Sequence, residues 1–126
     1  MLKLIYRAFL LLTLATGTVF AANIPFDQTR FDQLLNEGKP VVLHIHADWC
    51  PTCRAQDAVL EDLLPMDEFK NLPVLRANFD TEKKLLRTYK VRNQSTFIMF
   101  KNGKEVSRSI GETDSTRIAE LLRKAL

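Results

Sequence analysis

The sequence predicts an α/β fold in which helices cover both faces of a mixed β-sheet. Strand-like apolar runs alternate with helical segments, a pattern typical of parallel strands joined by crossover helices. The strongest turn signal of the chain, Asn102-Gly103, lies between two strand-like runs and predicts an antiparallel hairpin. The 126 residues are enough for one domain, since domains usually have about 100–150 residues.

The first predicted elements are a short helix and a buried strand. The helix covers residues 26–36, with Asp27 or Thr29 as its N-terminal cap and Gly38 just past its end. The run VVLHIHA follows Pro40 and is rich in β-branched residues. Such a compact apolar run is typical of a strand that is buried on both faces.

A second helix and a second strand follow. The helix begins after Cys50, has Pro51 in its first turn and ends at Pro65. Residues 73–80, PVLRANFD, form the next predicted strand. This order places the two strands parallel to each other with a helix between them.

The last part of the chain predicts two helices around the hairpin. The third helix covers residues 80–91 and is capped by Asp80, and residues 96–110 form the hairpin. Asp114 or Ser115 caps the last helix. Its apolar face is formed by Ile118, Leu121, Leu122 and Leu126.

The N-terminal segment predicts export. Two basic residues precede an apolar run of about fifteen residues, and Val19-Phe20-Ala21 fits the small-x-small pattern of a signal-peptide cleavage site. A membrane span needs about twenty residues, so an uncleaved anchor is the less favoured alternative. We expect residues 1–21 to be a cleavable secretory signal peptide. Residues 22–126 would then form the mature domain, which is not expected to span a membrane.

Export changes both the charge balance and the redox environment. The chain has 18 Lys and Arg against 15 Asp and Glu, but two of the basic residues lie in the predicted leader, which leaves residues 22–126 with a net charge of +1. This balance gives no reason to expect a nucleic-acid partner. In the periplasm, or elsewhere outside the cytoplasm, a cysteine pair meets an oxidising environment.

Both cysteines lie in the stretch ADWCPTC. Cys50 falls at the predicted junction of strand and helix, where unpaired N–H groups and the helix dipole favour a thiolate over a thiol. It is therefore the predicted attacking sulfur. Cys53 lies about one helical turn further on, within disulfide reach, and is placed to resolve a mixed disulfide.

Two other uses of a cysteine pair compete with this one. A structural disulfide across so small a loop removes little entropy from the unfolded chain, so it would stabilise the fold only weakly. A metal site would combine the pair with His44 and His46, which strand alternation places on the same side. The sequence has no second CxxC to complete a closed zinc site, so we expect no resident metal.

The segment HADWCPTCRAQDAVL resembles the active-site stretch of thioredoxin-fold thiol–disulfide oxidoreductases, and ANFD and TFIMFKNGKEV extend the likeness to the C-terminal helix. The ADWCxxC pattern is especially similar to the periplasmic thioredoxin-like domain of membrane disulfide-reductase systems. The resemblance implies a three-layer α/β fold with a central mixed sheet of four or five strands flanked by helices. It also implies that Cys50 is the nucleophile, that Cys53 resolves and that Trp49 flanks the site, with no cofactor beyond the redox-active disulfide.

Two positions depart from the family pattern. His44 stands where family members carry a buried acidic residue, and because the unperturbed pKa of imidazole is about 6.5, His44 is a candidate catalytic acceptor for the proton of Cys53. A packed core histidine is the alternative. Ser95, followed by Thr96, stands where the family has a cis-proline. A cis bond before a non-proline residue costs about 2.5–4 kcal/mol, so we expect the Gln94–Ser95 bond to be trans, or else strained and held by its surroundings.

The sequence therefore predicts an exported oxidoreductase that reduces protein disulfides. Thr52 offers a neutral hydroxyl between the cysteines, which favours a moderately reducing or intermediate pair. The expected electron donor is a membrane disulfide reductase. The alternatives are a disulfide donor and a non-catalytic module that handles metal or acts like a chaperone. The predicted substrate-binding residues are Trp49, Pro51, Thr52, Ser95 and Thr96.

Overall fold

The structure of the protein, a computed structural model, describes residues 23–126. The helices are α1 (Gln28–Asn36), α2 (Pro51–Leu63), α3 (Lys83–Thr88) and α4 (Ser115–Arg123). The strands are β1 (Asn23–Pro25), β2 (Val41–His46), β3 (Val74–Asn78), β4 (Thr96–Lys101) and β5 (Lys104–Ile110). The predicted leader, residues 1–21, and its cleavage site lie outside the described residues. Within residues 23–126, no helix combines the length and the apolar character that crossing a membrane requires.

The five strands form one mixed sheet in the order β1-β3-β2-β4-β5. β1 and β2 both pair with β3 in parallel, whereas β4 is antiparallel to β2 and to β5. β2 lies at the centre of the sheet, and each of its six residues is buried. The predicted three-layer α/β fold is thus confirmed, with five strands in the sheet.

Each face of the sheet carries its own hydrophobic core. On one face, α2 and α4 pack through Leu60, Leu63 and Ile118 on strand residues that include Phe97. On the other face, α1 and α3 pack on the alternate strand residues. The apolar residues that define this second core are Phe31, Leu43, Ile45, Leu75, Leu85, Leu86, Ile98 and Phe100. Covering both faces explains why β2 and β4 are continuously apolar in sequence.

Two of the predicted helix caps and the hairpin turn are found where the sequence places them. The carboxylate of Asp27 accepts a hydrogen bond from the backbone N–H of Arg30 at 2.7 Å, and that of Asp114 accepts one from Arg117 at 2.9 Å. In the β4–β5 turn, Asn102 has φ +53° and Gly103 has φ +76°. Two successive positive φ angles are what a type I′ hairpin turn requires.

Two local expectations were wrong, and one strand was not predicted. The third helix begins at Lys83, after Glu82, and its first turn has no side-chain cap. Asp80 is therefore not a helix cap; it lies in the preceding turn, and its carboxylate binds Trp49 instead. α4 ends at Arg123, which leaves the side chain of Leu126 outside the helix and exposed. The short edge strand β1 was not predicted, because three residues are too few to show a period.

The strand directions bring several loops to one edge of the sheet. β2 and β3 end at this edge with His46 and Asn78, β4 begins there with Thr96, and β5 ends there with Ile110. The loop that leads to Cys50 and the start of α2 leaves from the same edge, directly after β2. Loops from these four strands are therefore available to build one site around the cysteine pair.

Candidate active site

Cys50 and Cys53 form a disulfide at the start of α2, with their Cα atoms 5.3 Å apart. Cys50 is the N-cap residue of the helix, and its Sγ accepts a hydrogen bond from the backbone N–H of Cys53 at 3.0 Å. Pro51 occupies the first turn, where its missing N–H removes no helical hydrogen bond. The predicted position of the pair at a helix start is confirmed. The sulfur of Cys50 is thus held by a helix N-terminus, which stabilises negative charge on it.

The surface at this end of α2 is formed by Trp49 rather than by the sulfurs. Cys50 and Cys53 are each only 1% exposed and pack with Ala47 against Phe79. Trp49 is 57% exposed, and its indole N–H donates to the carboxylate of Asp80 at 2.8 Å. In the disulfide form both sulfurs are therefore almost completely covered.

His44 lies in the core beneath α2. Its side chain is 0% exposed and its ring stacks on that of Phe97 with 4.6 Å between the centroids. Its Nε2 lies 2.9 Å from Oε1 of Gln56. Among the described residues, no hydrogen bond joins His44 to either cysteine. The ring reaches past Cys53 toward the next turn of the helix.

Gln56 connects three segments of the site. Its side chain is 0% exposed, and its amide nitrogen donates to the backbone oxygens of Ser95 at 3.0 Å and Glu112 at 2.9 Å. Because carbonyl oxygens only accept hydrogen bonds, the NH₂ group of Gln56 must face them and its oxygen must face His44. Nε2 of His44 therefore carries a hydrogen and donates it to Gln56. In the neutral ring, Nδ1 is left as a bare acceptor.

Asp57 of α2 places an acidic group beside this ring. Its Oδ1 lies 3.6 Å from Nδ1 of His44, just beyond hydrogen-bond length. Its carboxylate also accepts from Arg76 at 2.9 Å and from the side-chain amide of Asn23 at 2.9 Å. Asp57, Arg76 and Asn23 line an open cavity of about 440 Å³. Asp57 therefore lies close to the buried ring and also lines this cavity.

Burial keeps His44 neutral. Removal of the ring from water lowers the pKa of His44 from 6.5 to about 4. The hydrogen bond to Gln56 and the charge of Asp57 raise this pKa, but they do not offset the burial. The charges of Arg76 and His46 lower it further. At neutral pH the ring is an uncharged hydrogen-bond donor through Nε2.

His46, the second histidine of β2, is also mostly buried. Burial lowers the pKa of His46, and the positive charge of Arg76 acts in the same direction. Its Nδ1 lies 3.9 Å from the carboxylate of Asp48. No group of three or more His, Cys, Asp or Glu side chains in residues 23–126 is arranged to hold a metal ion.

The loop before β4 adopts an unusual backbone conformation at Ser95. The residues that the structure describes contain no cis peptide bond, so the Gln94–Ser95 bond is trans, as expected. Ser95 has φ +56°, a left-handed conformation that costs a non-glycine residue about 1–2 kcal/mol. The loop holds it there, because the carbonyl oxygen of Ser95 accepts hydrogen bonds from Gly111 at 2.8 Å and from Gln56 at 3.0 Å.

The predicted substrate-binding residues divide into two groups. Trp49 and Pro51 are exposed and Thr52 is half-buried, all at the start of α2. Ser95 and Thr96 are buried, and the hydroxyl of Thr96 donates to the backbone oxygen of Asn93 at 2.7 Å. Only the first group is presented to a partner in this form of the protein.

Four residues of the site were missed by sequence reasoning: Gln56, Asp57, Arg76 and Glu112. Gln56 and Asp57 follow Cys53 by three and four residues, which puts them one turn further along the same helix. A glutamine at an otherwise apolar inward position was the available signal. Arg76 comes from β3 and the Glu112 carbonyl from the β5–α4 loop. Neither contact could be predicted from the neighbouring sequence.

The family model for thioredoxin matches residues 22–124. The chain belongs to the thioredoxin family. A thioredoxin from Chlamydia pneumoniae is 33% identical over 94 residues, which cover 75% of this chain and 89% of that protein. Thioredoxin 1 from Nostoc is 28% identical over 100 residues, covering 79% and 92% of the two chains.

Solved structures agree with this assignment. The crystal structure of Trxlp from Edwardsiella tarda superposes with a TM-score of 0.75 at 40% identity, covering 78% of this chain and 95% of that one. The present thioredoxin-family protein is a dithiol/disulfide oxidoreductase, and Cys50–Cys53 is its redox pair. The cluster of His44, Gln56 and Asp57 is built on the turn of α2 that follows that pair.

Proposed function

We propose that this thioredoxin-family protein is exported and reduces disulfides in other proteins. The observation that carries the proposal is the position of Cys50, whose Sγ accepts the N–H of Cys53 at the start of α2. The same hydrogen bond and the helix dipole stabilise the Cys50 thiolate after reduction. Thr52 adds no positive charge between the sulfurs, which supports a reducing rather than a strongly oxidising pair.

The reaction has two exchange steps. The Cys50 thiolate attacks one sulfur of a substrate disulfide, forms a mixed disulfide and releases the other substrate sulfur as a thiolate. The Cys53 thiolate then attacks Sγ of Cys50, forms the Cys50–Cys53 disulfide and releases the second substrate thiolate. The substrate gains two electrons and the protein loses two. A membrane protein that presents its own dithiol restores the reduced pair, and the same exchange runs in the opposite direction.

His44 is proposed to pass on the proton that Cys53 loses before it attacks. Its neutral ring has an unprotonated Nδ1, but a pKa of about 4 makes it a weak base. A proton accepted by the ring therefore does not stay on it. The test is the pH dependence of the rate of the resolving step, measured by rapid mixing in the wild-type protein and in His44→Gln. An unchanged profile assigns His44 to core packing alone.

Reduction of insulin in the presence of dithiothreitol tests the enzymatic proposal. We expect Cys50→Ser to abolish turnover and Cys53→Ser to accumulate a mixed disulfide with the substrate. Ser107→Cys in the presence of Cys50→Ser is a matched control, because it restores the thiol count on β5 without restoring the site. Turnover by Cys50→Ser at the wild-type rate contradicts the proposal.

The redox direction is decided by the equilibrium potential of the pair against glutathione. A value near that of reducing thioredoxins supports reduction, since about 30 mV corresponds to about 1.4 kcal/mol for two electrons. A strongly oxidising value instead assigns the protein as a disulfide donor.

The export proposal is supported by the apolar N-terminal segment and its small-x-small site. The N-terminal sequence of protein recovered from the cell envelope tests it. We expect the chain to begin at Ala22 or Asn23. Recovery of the full chain from the membrane fraction supports an uncleaved anchor instead.

A further inference from the structure

Positive charge is concentrated in one short segment of the domain. Residues 83–92 contain five Lys or Arg residues and no Asp or Glu, although residues 22–126 as a whole have a net charge of only +1. The rest of that range therefore carries eleven basic and fifteen acidic residues. Such segregation of charge within a nearly neutral domain creates a local positive potential.

Four of these cations surround a groove beside α3, which we call the basic groove. Lys83, Arg87, Lys90 and Arg92 are all exposed around a cavity of about 470 Å³. The apolar residues that line the same groove are Phe79, Leu86 and Val91. The groove thus combines a rim of positive charge with an apolar floor.

The charges of the rim are not used within the protein. None of the four cations forms an ion pair with another described residue, whereas Arg76, Arg108 and Arg123 are each paired with a carboxylate. The ammonium of Lys83 donates to the backbone oxygen of Phe79 at 3.0 Å and lies 5.1 Å from the centre of its ring. The rim is therefore free to bind negative groups of another molecule.

The basic groove adjoins the disulfide. Phe79 lines the groove and also packs against Ala47, Cys50 and Cys53. At the other end, Arg92 immediately precedes the loop that leads to Ser95. A chain segment lying in the groove would therefore contact Phe79, which packs on the disulfide.

We propose that the basic groove docks an acidic segment of the disulfide-bearing partner protein, in which carboxylates flank an apolar side chain. This inference rests on the proposed function, because the partner is the protein whose disulfide exchanges with Cys50. Charge complementarity accelerates encounter and selects among partners. Apolar side chains that are flanked by cations suit an extended segment better than a lipid surface, which is bound by a projecting apolar helix face.

Binding of redox-inert peptides tests the groove separately from the chemistry. Three synthetic peptides share one apolar core, have no cysteine, and differ only in flanking residues, which are Glu, Gln or Lys. Fluorescence anisotropy at low ionic strength should show the Glu peptide binding at least about tenfold more tightly than the Gln peptide, with the Lys peptide weakest. The preference should fall steeply as salt is added.

Two double variants locate the binding surface. Arg87→Glu with Arg92→Glu should remove or reverse the preference for the Glu peptide, and Arg87→Lys with Arg92→Lys should retain it. Lys101→Glu with Lys104→Glu is the matched control. It makes the same charge change at the β4–β5 turn, on the opposite edge of the sheet, and should leave the preference intact.

The outcomes separate this inference from the proposed function. Equal binding of the Glu and Gln peptides, or equal loss in the control variant, overturns the groove assignment even where insulin is reduced. A different outcome is that the protein binds phosphatidylglycerol vesicles and no peptide, and loses this binding when Arg87 and Arg92 are both changed to Glu. That result overturns the peptide-docking proposal and assigns the groove to a membrane surface. Selective binding of the Glu peptide by a protein that fails to reduce insulin supports the groove and contradicts the reductase function.

Discussion

Nδ1 of the buried His44 lies 3.6 Å from a carboxylate oxygen of Asp57, which belongs to the turn of α2 that follows the redox disulfide. Nε2 of the same ring is fixed as a donor by Gln56, whose own amide nitrogen is committed to two carbonyl oxygens. The ring therefore meets a carboxylate through its unprotonated nitrogen. This unfavourable approach is resolved when the ring gains a proton, which links the charge of His44 to Asp57.

The tautomer of His44 is the first prediction. Because Gln56 accepts from Nε2, we expect the neutral ring to carry its hydrogen on Nε2 above pH 6. Long-range ¹⁵N correlations of the His44 ring in labelled protein report this directly. Gln56→Met removes the acceptor while keeping the length of the side chain, so the preference should weaken in that variant. A neutral ring protonated on Nδ1 in the wild type contradicts the assigned network.

The stability of the protein should depend on pH through His44. Its pKa is about 4 in the folded state and about 6.5 when unfolded, so below pH 6.5 the unfolded chain binds a proton that the folded chain does not. The free energy of unfolding should therefore fall as the pH falls from about 6.5 to about 4, by on the order of 3 kcal/mol.

Urea unfolding across this pH range measures the effect. His44→Gln should flatten the dependence, although its stability at neutral pH also changes because the ring packs on Phe97. His46→Gln should flatten it less, since the pKa of His46 is lowered in the same direction but its ring is closer to the surface. An identical slope in wild type and His44→Gln is the result that contradicts the prediction.

Gln56→Met should destabilise the fold. The change leaves Nε2 of His44 and the carbonyl oxygen of Glu112 without their buried partner, and each unsatisfied group costs about 1–3 kcal/mol. We expect a loss of about 2–4 kcal/mol in the free energy of unfolding. The control is Gln33→Met, an exposed glutamine in α1 whose change should stay within about 0.5 kcal/mol. Equal effects of the two substitutions would show that the network is not stabilising.

Alkylation of the reduced protein should modify Cys50 before Cys53. Cys50 is the helix cap whose Sγ accepts an N–H group, and thiolates are the reactive form of cysteine. Iodoacetamide labelling followed by peptide mass spectrometry gives the order, and the urea-unfolded protein gives the rate for freely accessible thiols. Because both cysteines are 1% exposed in the disulfide form, absence of labelling at Cys50 in the folded, reduced protein is the result that rules out its proposed role as nucleophile.

Substitution of Ser95 should show which backbone conformation this loop requires. Ser95→Gly should be neutral or stabilising, since glycine adopts φ +56° without strain. Ser95→Pro should destabilise the protein by about 3 kcal/mol or more, because proline fixes φ near −65° and the loop must be rebuilt. Thermal unfolding of the two variants measures the difference. A Ser95→Pro protein as stable as Ser95→Gly contradicts the assigned loop conformation.

The sequence by itself determined the order of the elements from α1 onward, the helix start at the cysteines and the hairpin turn. Each of these is a local property. Asp27 and Asp114 cap helices through N–H groups three residues away, and Asn102-Gly103 supplies both positive φ angles within one turn. The trans bond before Ser95 likewise follows from the cost of a cis bond at a residue that is not proline.

The tertiary structure alone decided what surrounds the disulfide. The side chain of Gln56 donates to the carbonyl of Ser95, 39 positions away in the chain. The indole of Trp49 donates to the carboxylate of Asp80, 31 positions away. Asp80 therefore binds Trp49 and does not cap the helix, although its local sequence predicted that it would. The basic run of residues 83–92 was visible in the sequence, but the aromatic part of the groove's apolar floor is Phe79, which comes from the turn after β3. Side chains that meet only because sheet pairing brings distant loops to one edge leave no periodic signal in the sequence, so their partners become known only when the chain is folded.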